Sequence, residues 1–150
     1  MKRLAICLLG MVPILALAGK AEVEHYPMQL DMPVPFSEAV RVGHMLYLSG
    51  MIGNKPGTSQ LAEGGIGGET RQTMENIKAV LEKHGSSMDE VVKCTVFLAD
   101  IAEWAAMNEV YREYFTSDPP ARSALGTSGL ALGSRVEIEC LATVGLDNPD

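Results

Sequence analysis

The chain has 150 residues and a formal net charge of −7 at pH 7, and 47% of its residues are hydrophobic. This length is enough for one domain with a sizeable core and too short for two. Because the chain is acidic and has no basic stripe, it would repel phosphate backbones, so we expect no nucleic acid partner.

The first eighteen residues are predicted to be a cleavable signal peptide. Lys2 and Arg3 form a charged start, an almost wholly apolar run follows, and Ala16-Leu17-Ala18 has the small-x-small pattern of a cleavage site. We therefore expect a signal at 1–18, a single domain at 19–150 and a periplasmic or secreted product. A retained anchor is the alternative, but the run is short for a membrane span, so no stable membrane anchor is expected.

The mature chain starts with an aperiodic mixture of charges and prolines up to residue 35, which predicts an irregular arm. Apolar runs at 39–42 and 45–49 predict a hairpin. A long glycine-rich loop is expected at 50–68, either as a functional loop or as a surface flap. Apolar residues at helical spacing then predict the first helix at 68–85, where a glycine ends it.

A β-branched run predicts a strand at 91–98, and a second helix is predicted from Asp100, which can cap it, to about Phe115. One side of this helix carries large apolar side chains at helical spacing, which predicts their burial: Trp104, Met107, Tyr111 and Phe115. Asn108 lies on the same side and needs a partner there, which is more often backbone than ligand.

A short strand is predicted at 122–127 and a long one up to Val144. In the long strand, alternation places two sets of side chains on opposite faces: Val136, Ile138, Cys140 and Ala142 on one, and Glu137, Glu139 and Leu141 on the other. The order of elements predicts an α+β fold with both helices on one face of the sheet. The 132 residues left when 18 of the 150 are removed cannot cover the second face, so we expect the sheets of several subunits to cover each other.

Cys94 and Cys140 both lie in predicted strands. They can pair in an oxidising compartment, but two buried small apolar side chains are the commoner state, so the sequence favours unpaired thiols. Neither has a second Cys or a His at metal-ligand spacing, and the three histidines are isolated from one another, so no metal site is predicted.

Arg122 follows closely on Pro119-Pro120, whose locked φ angles limit how far the backbone can swing, so we expect its guanidinium to have a defined direction. The planar guanidinium can donate two parallel hydrogen bonds to a carboxylate, so it is suited to bind a ligand that carries one. Taken alone, a structural arginine that bonds loop carbonyls and an ordinary exposed carboxylate at Glu137 are the commoner interpretations of these two residues.

Several phrases, in this order along the chain, carry a family resemblance: Phe36-Ser37-Glu38-Ala39-Val40, Leu46-Tyr47-Leu48-Ser49-Gly50, Thr70-Arg71-Gln72, Thr95-Val96-Phe97-Leu98, Asn108-Glu109-Val110-Tyr111, Pro120-Ala121-Arg122-Ser123 and Val136-Glu137-Ile138-Glu139. Over residues 35–144 the sequence resembles the reactive-intermediate (imine) deaminase family, also called RidA or YjgF. The resemblance implies a chorismate-mutase-like subunit with a mixed sheet, and a homotrimer with a central barrel and active sites in the clefts between neighbours. It also implies hydrolysis of reactive 2-imino acids to 2-keto acids and ammonia, with no metal or cofactor, so the implied partners are that small acid and the chain itself.

The resemblance places the carboxylate-binding arginine on Arg122 and the water-handling glutamate on Glu137. It implies these further substrate-binding positions: Phe36, Ser49, Gly50, Asn108 and Ala124. Phe36 stands where many members have a tyrosine, so a hydroxyl proposed to touch substrate or water is missing. That departure and the export signal favour an alternative, a non-catalytic trimer that binds small carboxylates or a protein partner. RNA cleavage is disfavoured because the chain is acidic and has no catalytic His pair.

Overall fold

The computed structural model describes residues 20–29 and 33–145, so the predicted signal peptide lies outside the described residues. Seven strands are present in that part of the chain: β1 (Val23–Pro27), β2 (Ser37–Val42), β3 (Met45–Leu48), β4 (Met51–Ile52), β5 (Val91–Leu98), β6 (Ala121–Gly126) and β7 (Val136–Thr143). Two α-helices accompany them: α1 (Gly65–Lys83) and α2 (Trp104–Tyr111). Within the described ranges, neither helix is long and apolar enough to cross a membrane.

The strands form one mixed sheet in the order β1-β2-β3-β7-β5-β6, and β4 also pairs with β7. The β5–β6 pair is parallel, whereas the other pairs are antiparallel. Both helices share one hydrophobic core with the sheet, which confirms the predicted α+β arrangement with the helices on a single face. Strand β6 is the last strand in this order and forms one edge of the sheet.

The faces of β7 follow the predicted alternation. Its four small and branched side chains that point toward the helices are at most 1% exposed: Val136, Ile138, Cys140 and Ala142. Glu137, Glu139 and Leu141 point the other way and are not buried. On that other face Tyr47 and Leu125 are both 43% exposed, so the described chain does not cover it with elements of its own.

Three sequence predictions are corrected by the fold. The expected irregular arm contains β1, which pairs with the edge of β2. The expected loop at 50–68 contains β4, which pairs with β7, and the first turn of α1, which starts at Gly65 rather than residue 68. The expected burial of Trp104 is wrong, since this side chain is 45% exposed, whereas Met107 and Tyr111 are buried. The physical reason is common to the two strands: β1 pairs with the open side of β2, β4 pairs with the part of β7 that β3 leaves unpaired, and these neighbours supply hydrogen bonds that short sequences do not reveal.

The two cysteines form a disulfide, so the preference for unpaired thiols is also wrong. Cys94 on β5 and Cys140 on β7 are directly opposite each other in the antiparallel register, with their Cα atoms 4.2 Å apart. Both are on the core face and are at most 1% exposed. The pairing is a product of register, which brings together two residues 46 positions apart.

We predict that this disulfide contributes to the free energy of unfolding. It closes a loop of 46 residues, and a cross-link of this span stabilises a domain by about 2–4 kcal/mol, chiefly by restricting the unfolded chain. Urea unfolding of the wild type with and without a reductant measures the contribution of the bond without changing the sequence. The Cys94→Ala, Cys140→Ala double variant should match the reduced protein or be somewhat less stable; equal midpoints for the oxidised and reduced wild type would contradict the prediction.

Candidate active site

Arg122 lies on the edge strand β6 and points toward the helices. It is the register partner of the buried Cys94, and its guanidinium carbon lies 4.6 Å from the ring centroid of Tyr111 and 5.8 Å from that of Trp104 on α2. No carboxylate in the described part of the chain forms a salt bridge with Arg122. The guanidinium is therefore held by aromatic faces and keeps its N–H donors for another partner.

A cavity of ≈ 450 Å³ opens beside this guanidinium, and we call it the Arg122 pocket. Its lining comes from α2, the turn that follows it and the start of β6: Asn108, Tyr111, Arg112, Phe115, Pro119, Pro120 and Arg122. The predicted residues Asn108 and Arg122 thus lie in the same pocket. Arg112 is already engaged there, since it donates to Glu109 at 2.8 Å.

Tyr111 and Phe115 are pocket residues that the sequence analysis assigned to the core alone. Tyr111 belongs to both, because it is buried while one face of its ring meets the guanidinium. Burial raises the pKa of Tyr111 to about 12, although the charge of Arg122 acts in the opposite direction, so the phenol stays neutral. The helical spacing of Asn108, Tyr111 and Phe115 predicts that they share one side, although only Asn108 and Tyr111 lie on α2 and Phe115 follows the 3-10 turn after it.

Glu137 lies on the opposite, open face of the sheet and is half-buried there. Gly50 is pressed against it, since a Cβ atom at residue 50 would overlap Oε1 of Glu137. A larger residue at this position would therefore force the Glu137 side chain to move from its present place. The neighbouring Ser49 is fixed as well, because its hydroxyl donates to the carbonyl of Ser37 at 2.6 Å. We call Glu137, Gly50 and Ser49 the Glu137 surface.

The electrostatics of Glu137 suit a group that takes up and releases protons. Burial is the largest cause that raises the pKa of Glu137, and the nearby negative charge of Glu139 raises it further. Among the described residues no cation forms a salt bridge with Glu137 to offset these effects. The carboxyl is thus easier to protonate than an ordinary surface glutamate.

The remaining predicted residues lie near one or the other of these two places. Phe36 is 51% exposed and directly precedes Ser37, whose carbonyl accepts the hydrogen bond from Ser49. Ala124 lies on β6, two residues after Arg122, and is half-buried against the core. The outer edge of β6 has no strand partner within the described ranges, so backbone groups there are available to a ligand.

The structure does not bring Arg122 and Glu137 together within one protomer. Glu137 is the register partner of Phe97, and Phe97 is the register partner of Leu125, so Leu125 faces the same side as Glu137. Arg122 is three positions from Leu125 on the same strand, an odd number, and therefore faces the other side. One chain presents the Arg122 pocket and the Glu137 surface on opposite faces of its sheet, and we call these two places the candidate half-sites.

No group of three or more His, Cys, Asp or Glu side chains in the described ranges is arranged to hold a metal ion. The chemistry available at the two half-sites is that of a fixed guanidinium, an amide, exposed strand-edge backbone and a carboxyl group with a raised pKa.

Comparison with known proteins agrees with this architecture. The family model described as "Endoribonuclease L-PSP" matches residues 28–144. Protein DfrA of Myxococcus xanthus is 44% identical over 110 residues, which cover 72% of this chain and 84% of that protein. The 2-iminobutanoate/2-iminopropanoate deaminase of Homo sapiens is 43% identical over 111 residues, which cover 74% of this chain and 81% of that protein.

A solved structure gives the same result in three dimensions. RidA from an Antarctic Psychrobacter species superposes with a TM-score of 0.71 at 35% sequence identity, covering 84% of this chain and 99% of that one. The match of the family model over most of the chain, the identity to these relatives and the shared mixed sheet with two helices establish that this chain belongs to the RidA/YjgF family.

Proposed function

We propose that this protein hydrolyses small reactive 2-imino acids to 2-keto acids and ammonia. In this reaction water adds to C2 of the imine, a C–O bond forms, the C–N bond breaks and the nitrogen leaves as ammonia. The observation that carries the proposal is the state of Arg122. In a chain with 19 acidic and 12 basic side chains, the other pocket arginine is engaged by a carboxylate whereas Arg122 is not.

Arg122 is proposed to bind the substrate carboxylate. Its planar fork can donate two parallel hydrogen bonds to a carboxylate, and it lies in a pocket with a second polar group, the amide of Asn108. Such binding places the planar imino acid in one orientation, which is much of what the reaction needs because these imines also hydrolyse unaided.

Glu137 is proposed to orient the attacking water and to pass its proton to the departing nitrogen. A carboxylate can accept a proton from water and, once protonated, donate it to nitrogen, and the raised pKa makes this carboxylate a stronger base than an ordinary glutamate. Gly50 supports this role, because the backbone approaches the carboxylate without a side chain between them.

The separation of the half-sites supports a homotrimer with shared sites. Because Arg122 and Glu137 lie on opposite faces of one sheet, a complete site requires the Arg122 pocket of one subunit and the Glu137 surface of a neighbour. The open sheet face, with its exposed Tyr47 and Leu125, supports the same assembly, in which the sheets surround a central barrel.

The location of the protein is proposed to be periplasmic or extracellular, after cleavage of residues 1–18. The buried Cys94–Cys140 disulfide supports this, since disulfides persist in oxidising compartments and are rare in the cytosol. Cell fractionation with a mass measurement of the mature N-terminus checks it: a product that starts near Gly19 is expected, and an intact chain in the cytosol contradicts it.

Arg122→Ala is predicted to lower kcat/KM for a 2-imino acid by roughly a hundredfold, because two charge-assisted hydrogen bonds to the carboxylate are lost, about 3 kcal/mol in all. An amino-acid oxidase generates 2-iminopropanoate from alanine in situ, and semicarbazide traps the imine that escapes hydrolysis. Faster hydrolysis then appears as slower formation of the semicarbazone than in buffer alone.

Lys78→Ala is the matched control, since it removes a cation from the exposed side of α1 and should leave the rate unchanged. Equal rates for Arg122→Ala and wild type would refute the proposed role. Calorimetric binding of pyruvate without any acceleration of imine hydrolysis would instead support the alternative of a carboxylate-binding trimer.

Mixing two inactive variants is predicted to restore activity. Glu137→Gln subunits keep Arg122 and Arg122→Ala subunits keep Glu137, so a mixed trimer contains intact sites at some of its interfaces. After joint refolding of equal amounts, half of the subunits that supply the arginine side of an interface carry Arg122, and half of their neighbours carry Glu137. About a quarter of the interfaces are therefore intact, so about a quarter of wild-type activity should return. Each variant refolded alone is the control. If the mixture stays as inactive as its components, Arg122 and Glu137 do not act across a shared interface.

The pH dependence of the rate should show the raised pKa of Glu137. The water-activating form is deprotonated, so the enzymatic rate should fall as pH decreases through a value above the ordinary glutamate pKa of 4.5. Glu139→Gln removes the neighbouring charge and should move this acid limb to lower pH. Glu82→Gln changes the net charge equally on the exposed side of α1 and should not move the acid limb.

Glu137→Gln should lose the acid limb and lower the rate by about 10²–10⁴-fold. An acid limb that is identical in Glu139→Gln and wild type would count against the assignment of this limb to Glu137.

A further inference from the structure

The aromatic surroundings of Arg122 carry an inference beyond the carboxylate-binding role. The guanidinium carbon lies 4.6 Å from the Tyr111 ring centroid and 5.8 Å from the Trp104 ring centroid. Both distances are within the range of cation–π attraction, about 6 Å. Both rings come from α2, so a single helix provides both aromatic neighbours of the cation.

The two rings differ in how firmly the fold holds them. Tyr111 is 6% exposed and packs against Phe115 with ring centroids 4.9 Å apart, so core packing fixes its orientation. Trp104 lies one helical turn before Asn108 and is 45% exposed. Tyr111 is therefore a rigid support, and Trp104 is an outer contact that can be changed without opening the core.

The ring of Tyr111, and not its hydroxyl, is the part that acts on Arg122. The hydroxyl oxygen is buried and has no hydrogen-bond partner among the described residues. The Arg122 guanidinium carbon instead lies over the ring of Tyr111, 4.6 Å from its centroid.

We infer that Tyr111 and Trp104 are positioning residues that orient the Arg122 guanidinium toward the substrate carboxylate. This inference rests on the proposed function and deepens it. An aromatic ring attracts the cation without supplying a carboxylate that would occupy its N–H groups, so these donors remain free for the ligand. A carboxylate partner would hold the arginine equally well but would compete with the substrate for the same donors.

The test is the affinity for pyruvate, the keto acid formed from 2-iminopropanoate, measured by calorimetry or NMR titration on the assembled protein. Trp104→Leu should weaken binding about two- to fivefold and Tyr111→Leu about five- to thirtyfold, in keeping with exposed and buried cation–π contacts. Tyr111→Phe keeps the ring and should bind within about twofold of wild type. Sedimentation of each variant confirms an unchanged assembly, and Trp104→Leu keeps the test valid if Tyr111→Leu fails to fold.

Two further readouts separate positioning from general structure. The orienting contact is expected to be equally strong in the bound substrate and in the transition state. Its loss in Trp104→Leu should therefore raise KM and leave kcat nearly unchanged. In the Arg122→Ala background, Trp104→Leu should cause no further loss of pyruvate affinity, because its effect acts through the missing guanidinium. An equal loss in both backgrounds would show a merely structural effect and overturn the inference.

The remaining outcomes distinguish this inference from the proposed function. If Arg122 is needed for imine hydrolysis but both leucine variants bind pyruvate like wild type, the inference fails and the function stands. If the variants weaken pyruvate binding but wild type does not accelerate imine hydrolysis, the function fails and the positioning role stands. Equal losses of pyruvate affinity in Tyr111→Phe and Tyr111→Leu would assign the effect to the hydroxyl and overturn the inference. A wild-type protein that binds no pyruvate would overturn both proposals.

Discussion

The register of β7 is the constraint on which the rest of this structure depends. The strand pairs with β3, β4 and β5, and its core-facing side chains pack under the helices. Because strand side chains alternate, the burial of Val136 and Ile138 places Glu137 on the opposite face. A shift of the register by one residue would bury the carboxylates and expose the core. The packing that stabilises the domain therefore also determines where its candidate acid–base group points.

The same alternation explains why the two half-sites are separate. Arg122 shares the core face with Cys94 through the parallel register of β5 and β6, whereas Glu137 is on the open face. No rearrangement of side chains joins two groups across a hydrogen-bonded sheet. The proposed trimer resolves this separation by placing one face of one subunit against the opposite half-site of the next, and it also covers apolar surface that a single chain leaves exposed.

The electrostatics of the two half-sites are complementary in the way the proposed reaction requires. Arg71 and Arg135 are joined to Glu113 and Glu103, so these charges are satisfied within the fold. Arg122 instead faces aromatic rings, and Glu137 faces backbone and another carboxylate. A cation and an anion without internal partners are costly for stability, and this is the usual condition of groups whose partner is a substrate.

The local patterns of the sequence were sufficient for much of the architecture. Alternation identified both faces of β7, and helical spacing identified α1 and the buried Met107 and Tyr111, because these signals record which side of an element avoids water. The sequence motifs that resemble the RidA/YjgF family identified Arg122 and Glu137 as candidate site residues. Strands β1 and β4 could not be predicted in the same way, because they are short and depend on hydrogen bonds to stretches of β2 and β7 that no other strand pairs with on that side.

The sequence by itself determined the periodicities, the arginine two residues after a proline pair and the position of the carboxylates along β7. Only the tertiary structure decided that Cys94 and Cys140 pair, that Tyr111 and Trp104 lie within cation–π distance of Arg122, and that Arg122 and Glu137 face opposite sides of the sheet. The reason is physical. A periodic pattern reports the environment of one element, whereas each of these relations depends on the register or packing between two elements that are far apart in the chain.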